Sequence, residues 1–497
     1  MLKQYSSVDA VAPIGSVREL ATDLAGPIFL PGQPGYTDEA ECFDTSVRHH
    51  PALIVGAANA DDVVTAVRFA RDHGLGVAVQ ATGHGVALPA DGALLVSTRR
   101  MSGFSVDPER RTVRLEAGVL WRDVIRASAR YGLAPLNGSA PFVGAVSYTL
   151  GGGIGVLARR YGYAADHVRE IEVVTADGER RTASEEANPD LFWALRGGKG
   201  NFGVVTALEA ELVGVSRIYG GGLFFPADSI SDVLHFYRGW VTDVPDELSS
   251  SFVMMPWPDV PEVPEQLRGR FALHMRLCYL GSPDDGARII QPLREIATPL
   301  LDTVTDIPYT QVGTIHNDPP APGSYHVNNF QLTHLDHDAV EAILRLVGPE
   351  SDGAIGIEIR HLGGALAREP RVLNAVARTT AQFQLYSGGV LGIGADEAVY
   401  AGHDRVIDTL SPWSSGTRML NFMAGVAHTD PADVRQAFTA EAYARLVELK
   451  TAYDPRNMFR FNHNIPPTPE RNGSRSHRIS PSRLSTSDSS GLRRAGG

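Results

Sequence analysis

The sequence predicts an α+β fold, and three observations carry that prediction. Strand-like and helix-like runs interleave between residues 51 and 213, yet hairpin signals stand among them, which a simple doubly wound sheet would lack. From Leu223 to Arg418 the pattern resets to alternating strands separated by helical stretches, as in an antiparallel sheet with helices on one face. With 497 residues, 43% hydrophobic and 21% charged, the chain can bury several cores.

Taken in order, Leu53-Ile54-Val55 is a short apolar strand. The helix after it is announced by Asn59 as N-cap, with Asp62 three residues on and Val63, Val67 and Ala70 on one face; Gly74 stops it. Gly76–Gln80 is the next strand and ends in the turn Ala81-Thr82-Gly83-His84-Gly85. Thr112–Gly118 alternates as a half-exposed strand, and Trp121–Tyr131 reads as a helix closed by Gly132. Ile171–Thr175 runs into Asp177-Gly178, a hairpin turn, with Arg180–Thr182 returning. Further on, Phe271–Tyr279, Ile355–Arg360 and Gln382–Tyr386 alternate as strands, while Asp338–Leu346 is helical. Residues 468–497 are rich in Ser and Arg and nearly free of aliphatics, so they are expected to form a disordered tail.

Fifty-seven acids against 45 bases leave a net charge of −12, which excludes broad wrapping of nucleic acid. A small anionic ligand held by one loop stays compatible with that charge. No apolar run approaches the ~18 residues of a membrane span, and the N-terminus carries no apolar leader. Cys42 and Cys278 lie too far apart for a framework of disulfides or a metal motif, so buried free thiols in a cytoplasmic protein are expected. His49-His50 and His334-x-x-His337, with Asp336 and Asp338, lack a recognisable third ligand, and no metal is expected.

Three glycine-rich segments dominate the first half: Ala81–Gly85, Gly151–Gly155 and Gly197–Gly203. Such loops let backbone N–H groups approach phosphate oxygens closely. His84, between two glycines on a tight turn after a strand, is a ligand-facing residue rather than a core histidine. Gly153-Ile-Gly-Val-Leu-Ala158 satisfies the dinucleotide fingerprint, with Glu172 about twenty residues on, and would serve an NAD(P)-dependent dehydrogenase. Against it, Tyr148-Thr149-Leu150 is a poor first strand. Gly198-Lys199-Gly200 lacks the Ser/Thr that a Walker loop needs after its lysine.

In this order, PALIV from Pro51, VAVQATGHG, LNGSAPFVGAVSYTLGGGIGVLARRYGYAADHV, IEVVTADG, NPDLFWALRGGKGNFGVVTALE and the closing YARLVELKTAYDPRNMFRFNHNIPP (Tyr443–Pro467) resemble the berberine-bridge-enzyme-like FAD-linked oxidoreductases. The flavin domain of that family is also described as PCMH-type or of the vanillyl-alcohol-oxidase fold. The likeness covers most of residues 45–215 and 420–467, and reaches the middle more loosely through Ile359–Ala365. It implies a two-part FAD-binding PCMH-type domain, 45–215 completed by 420–467, with a substrate domain inserted at 216–419 and a leading segment at 1–44.

The resemblance also implies FAD as cofactor, joined covalently through His84 to the ring's 8α-methyl. The residues it implies around FAD are Gln80, Ala81, Thr82, Gly83, His84 and Gly85, then Ala140, Gly144, Ser147, Gly152, Gly203 and Val205, and finally Asn421, Asn462 and Asn464. Many relatives carry a second, cysteine link where this chain has Ala140, so a single link is expected. Tyr148 stands where relatives often have histidine, and Met419 replaces the tyrosine that is often the substrate base. The base then falls to Tyr386, which shares a strand face with Gln382 and Gln384, or to Tyr148 or His361. The implied reaction passes a hydride from an alcohol or amine carbon of a secondary metabolite or sugar to FAD and then to O2. Two alternatives stand beside it: the dehydrogenase using Gly153–Ala158, and, because of Met419, a flavin-holding protein without turnover.

Overall fold

The apolar runs assemble into three sheets in the computed structural model, which describes residues 14–351, 353–425 and 428–469. The first sheet holds β1 (Ile28–Phe29), β2 (Leu53–Gly56), β3 (Val77–Gln80) and β4 (Leu94–Ser97), in the order β1-β2-β4-β3. β2, β4 and β3 run parallel, and every residue of β2 and β4 is buried, as continuous aliphatic runs require. The helix Ala60–Asp72 crosses over between β2 and β3. Asn59 caps it by accepting from the Asp62 N–H at 3.0 Å. The Asp62 carboxylate does not return the favour; it accepts the N–H groups of Ala25, Gly26 and Ala58 at 2.8–3.0 Å and so ties down the N-terminal segment.

The second sheet is antiparallel: β5 (Phe104–Asp107), β6 (Thr112–Glu116), β7 (Val168–Val174), β8 (Arg180–Ser184) and β9 (Val204–Glu211), ordered β5-β6-β9-β7-β8. β7 and β8 form the hairpin expected at Asp177-Gly178. The helix expected over Trp121–Tyr131 is α-helical to Ser128 and tightens to a 3₁₀ turn before left-handed Gly132 ends it.

The third sheet contains β10 (Arg217–Pro226), β11 (Leu248–Pro256), β12 (Phe271–Tyr279), β13 (Leu301–Asp302), β14 (Thr305–Pro308), β15 (Tyr325–Leu332), β16 (Gly356–His361) and β17 (Phe383–Val390). All its pairings are antiparallel. Alternation sorts its side chains between two faces. Phe252, Met254, Ile357, Ile359, Phe383 and Leu385 join a core with the helices Ile230–Trp240, Pro283–Ile296, His337–Val347 and Asp396–Leu410. Their alternates, among them Arg276, Glu358, Arg360 and Tyr386, point away from those helices. These four helices therefore cover one face of the sheet, as the sequence predicts.

The described residues up to Pro467 pack as one unit. Of the tail expected to be disordered, all but Thr468 and Pro469 lies outside the described residues, as do residues 1–13 of the leading segment. Among the described residues no helix is long and apolar enough to cross a membrane. Cys42 and Cys278 are both free and buried.

A buried ion pair fastens the last segment to the rest. Lys450, on the helix Ala440–Tyr453, sits 2.7 Å from Asp454, and neither side chain has any exposure. Lys450 also donates to the carbonyls of Asn201 and Phe459, while Asp454 accepts the N–H groups of Met458 and Phe459. The Val77 N–H in turn donates to the Met458 carbonyl, so the segment lies along β3. Asp454→Ala leaves a buried ammonium without its partner and should cost about 3–5 kcal/mol in denaturant unfolding. A Lys450→Met, Asp454→Leu pair, which removes both charges, should lose much less.

Candidate active site

A cavity of about 470 Å³ lies between the loops of the first two sheets and the polar face of the third. The turn after β3, the start of the helix Ala145–Leu150, the Lys199–Gly203 loop before β9, and Phe461–His463 supply part of the lining. Glu358 and Arg360 of β16 and Tyr386 of β17 supply another part, with Asp318, Asn421 and Phe422.

The β3 turn is shaped by glycine. Gly83 has φ +74°, and a Cβ there would come within 2.6 Å of the Cys42 backbone. The segment that blocks it also holds it, since Phe43 and Asp44 N–H groups donate to the carbonyls of Thr82 and Gly83. His84 stacks on Phe43 with ring centroids 3.8 Å apart, and its Nδ1 is 2.7 Å from Thr82 Oγ1. Nε2 is buried without a partner. Burial pushes the imidazole down to about 4, so it is neutral and retains a nucleophilic nitrogen at physiological pH.

The other residues predicted around the cofactor divide plainly. Gln80, Ala81, Thr82, Gly83, Gly85, Ala140, Ser147, Gly203, Val205, Asn421 and Asn462 line the same cavity as His84. Gln80 uses its amide within the protein, meeting Cys42 Sγ, His49 and the Glu41 carbonyl. Asn462 donates to the carbonyls of Gly200 and Phe459, leaving Oδ1 buried and unpartnered. Gly144, Gly152 and Asn464 are outside the lining. Gly144 backs the turn, 3.7 Å from Ala81 Cβ measured from an added Cβ, and Gly152 packs on Val376.

Tyr386, one of the candidate bases, lines the cavity. Its Cα partner across the strands is Glu358. Glu358 is ion-paired to Arg360 at 3.0 Å and Arg276 at 3.2 Å. Burial alone would raise the Glu358 carboxyl, but the two guanidinium groups hold it well below the usual range. Burial raises the Tyr386 phenol, and Glu358 and Asp318 raise it further. Arg360 lies 5.3 Å from the Phe422 ring centre, and the Tyr386 and Phe422 rings are 5.5 Å apart. Sequence reasoning missed Glu358, Arg360 and Arg276. The signal for them was charged residues placed alternately with isoleucine and leucine on two strands.

Tyr148 also lines the cavity, with its hydroxyl buried and unpartnered and its ring edge-on to Trp121. His361 does not line it, which corrects its assignment as a base. Strand alternation carries it away from Glu358 and Arg360 to Arg159, at 3.1 Å, and burial beside that cation lowers its ring to about 3. Met419 is buried among Ile154, Tyr163, Leu362 and Leu366, apart from the lining. The dinucleotide fingerprint is also corrected, because Gly153–Ala158 follows a helix rather than a strand. Its glycines serve close packing: Gly153 lies against Tyr148 and Ala164, and Gly155 against the Asn137 carbonyl.

His337 stands beside His235 and Glu341, with ligand atoms within 4.8 Å of one another. His235 Nε2 and Glu341 Oε1 bond each other at 2.8 Å.

Partner-less polar atoms at His84, Tyr148 and Asn462, a glycine-shaped turn and a volume within the ~300–1,000 Å³ of cofactor sites suit a flavin nucleotide. Residues 51–184 match the family described as FAD binding domain, and residues 426–466 the family described as berberine and berberine like. Fold and site together define an FAD-linked oxidoreductase. The chain is 29% identical over 468 residues to (R)-6-hydroxynicotine oxidase of Paenarthrobacter nicotinovorans, covering 90% of this chain and 99% of that protein. It is 27% identical over 462 residues to an FAD-linked oxidoreductase of Dictyostelium discoideum, covering 91% and 97%. The structure of 6-hydroxy-D-nicotine oxidase from Arthrobacter nicotinovorans superposes with TM-score 0.78 at 25% identity, over 89% of this chain and 98% of that one. The xylooligosaccharide oxidase of Myceliophthora thermophila C1 shares the fold, with TM-score 0.79 at 20% identity, over 91% and 99%. The chain thus carries an FAD binding domain and a berberine-like segment, and the proteins it resembles along most of its length are FAD-linked oxidoreductases and oxidases.

Proposed function

We propose that the protein is an oxidase of small molecules, holding FAD by a single covalent link through His84 and using O2 as electron acceptor. The observation that carries this reading is one cavity lined both by the His84 turn and by the polar face of the third sheet. Bound FAD supplies a hydride acceptor for an alcohol or amine carbon of a secondary metabolite or sugar.

Thr82 engages Nδ1 of His84, and Nε2 is the nitrogen left free; in the tautomer whose Nδ1–H donates to Thr82, the lone pair rests on Nε2. Nε2 is therefore the atom we assign to the link. Ala140 lines the cavity without a thiol, which supports one link rather than two. We assign Tyr386 to meet the substrate's hydroxyl or amine and relay its proton, the phenol accepting that proton as it hands its own to solvent water. Glu358, fixed by Arg276 and Arg360, keeps the Tyr386 side of the site polar. Tyr148 is the second candidate for that proton. We assign residues 45–215 and 420–467 to the cofactor domain and 216–419 to the inserted substrate domain. Two free cysteines favour a reducing compartment, the cytoplasm.

Nicotine and oligosaccharide oxidases among the similar proteins support an oxidase acting on amine or alcohol carbons. The test is an anaerobic substrate screen on the purified protein. A substrate should bleach the visible flavin absorption, and admitting air should restore it with formation of peroxide. Colour that bleaches but does not return in air would replace O2 with another acceptor, and a colourless protein would refute the reading.

A further inference from the structure

We propose that Lys199 is the cationic residue that offsets the negative charge gained by the cofactor's ring system on reduction; the inference rests on the FAD reading above. Lys199 lines the cavity, and no carboxylate among the described residues pairs with it. Among the described residues its ammonium reaches only neutral groups, the Leu420 carbonyl at 3.3 Å and His463 Nδ1 at 3.4 Å. The contrast with Lys450 is direct, since that buried ammonium has Asp454 at 2.7 Å. A desolvated cation without a counter-charge is unfavourable unless a ligand supplies the anion. Burial lowers the Lys199 ammonium to about 8, the same cost seen from the proton's side.

The backbone makes the choice of residue more pointed. Lys199 has φ +51°, a left-handed conformation that glycine adopts freely, and it stands between Gly198 and Gly200. Lysine is thus kept at a strained position where the neighbouring residue type would relieve the strain.

Location selects the ring rather than the phosphates. Lys199 Nζ bonds the carbonyl of Leu420, and the next residue, Asn421, donates to the Tyr148 carbonyl at 2.8 Å. Tyr148, Asn421 and Phe422 all line the cavity, and Phe422 packs on Tyr386 and Arg360. Lys199 therefore reaches from the loop before β9 to the segment that carries Asn421 and Phe422, where the two groups of lining residues meet. A hydride leaving a substrate carbon carries both electrons of its C–H bond and one proton, so the ring that receives it gains one negative charge. A fixed cation nearby in a poorly solvated cavity favours that state.

The test compares Lys199→Met, Lys199→Gly and Lys199→Arg holoenzymes with the wild type by two readouts independent of turnover. One is the dissociation constant of sulfite, which adds to the oxidised ring and pushes charge onto it, followed by bleaching. The other is the midpoint potential against reference dyes. Met and Gly should each weaken sulfite binding about tenfold and lower the midpoint by the equivalent about 30 mV for a two-electron couple. Gly relieves the backbone, so a loss shared by Met and Gly is not a folding effect, and Arg should stay near wild type. Unchanged sulfite affinity and potential would overturn the proposal. Reduced flavin content with an unchanged potential would overturn it too, assigning Lys199 to the pyrophosphate. A wild type without flavin would instead remove the underlying FAD reading, and this inference with it.

Discussion

The His84→Ala protein should give up its yellow colour to the supernatant when precipitated with acid, whereas the wild type should keep the colour on the chain. A covalent bond survives unfolding and hydrogen bonds do not, so the expected difference is all or none. The geometry behind this is local. Phe43 stacks on the imidazole, Thr82 occupies Nδ1, and Nε2 is buried with no partner inside the cavity. Held near a pKa of about 4, the ring needs no deprotonation to act as a nucleophile. Removing it should also lower the midpoint potential of whatever FAD rebinds. Colour that leaves the wild type in acid would mean a non-covalent cofactor and another role for His84.

Tyr386→Phe should lower kcat by about 10²–10⁴-fold, the usual yield of one positioned proton-transfer group. At the lower end that is about 2.7 kcal/mol of barrier. The substitution removes one oxygen and leaves the ring against Phe422, so flavin content and stability should stay near wild type. The raised phenol pKa keeps Tyr386 protonated at neutral pH. A kcat unchanged in Tyr386→Phe but lost in Tyr148→Phe would move the role to the other phenol, whose hydroxyl also lacks a partner.

The place of His84 in the cavity was legible because its signal is local. A histidine between glycines after a strand needs only its own turn to be recognised, and Asn59 and Gly132 mark helix ends without reference to distant chain. The one-sided helix cover of the third sheet followed from strand alternation in Phe271–Tyr279 and Gln382–Tyr386. What was hidden depended on pairing between strands. Glu358 meets Tyr386 and two arginines only because β11, β12, β16 and β17 are neighbours in register, and no spacing along the chain encodes that order. His361 was misjudged for the same reason. One step along β16 changes its face, and its motif neighbours do not reveal the step. Lys199 was noticed only as a failed Walker lysine, because its lack of a counter-ion exists only in three dimensions.

The way Phe461–His463 close the cavity bears on when the protein can acquire its cofactor. These residues line the same space as Gln80–Gly85, yet the ribosome makes them hundreds of residues later. The Lys450–Asp454 knot that seats them cannot form before either partner has emerged. A nascent chain thus exposes its reactive turn long before the binding chamber exists. On the reading proposed above, attachment of FAD through His84 would follow translation of the whole unit, as a maturation step of the folded protein.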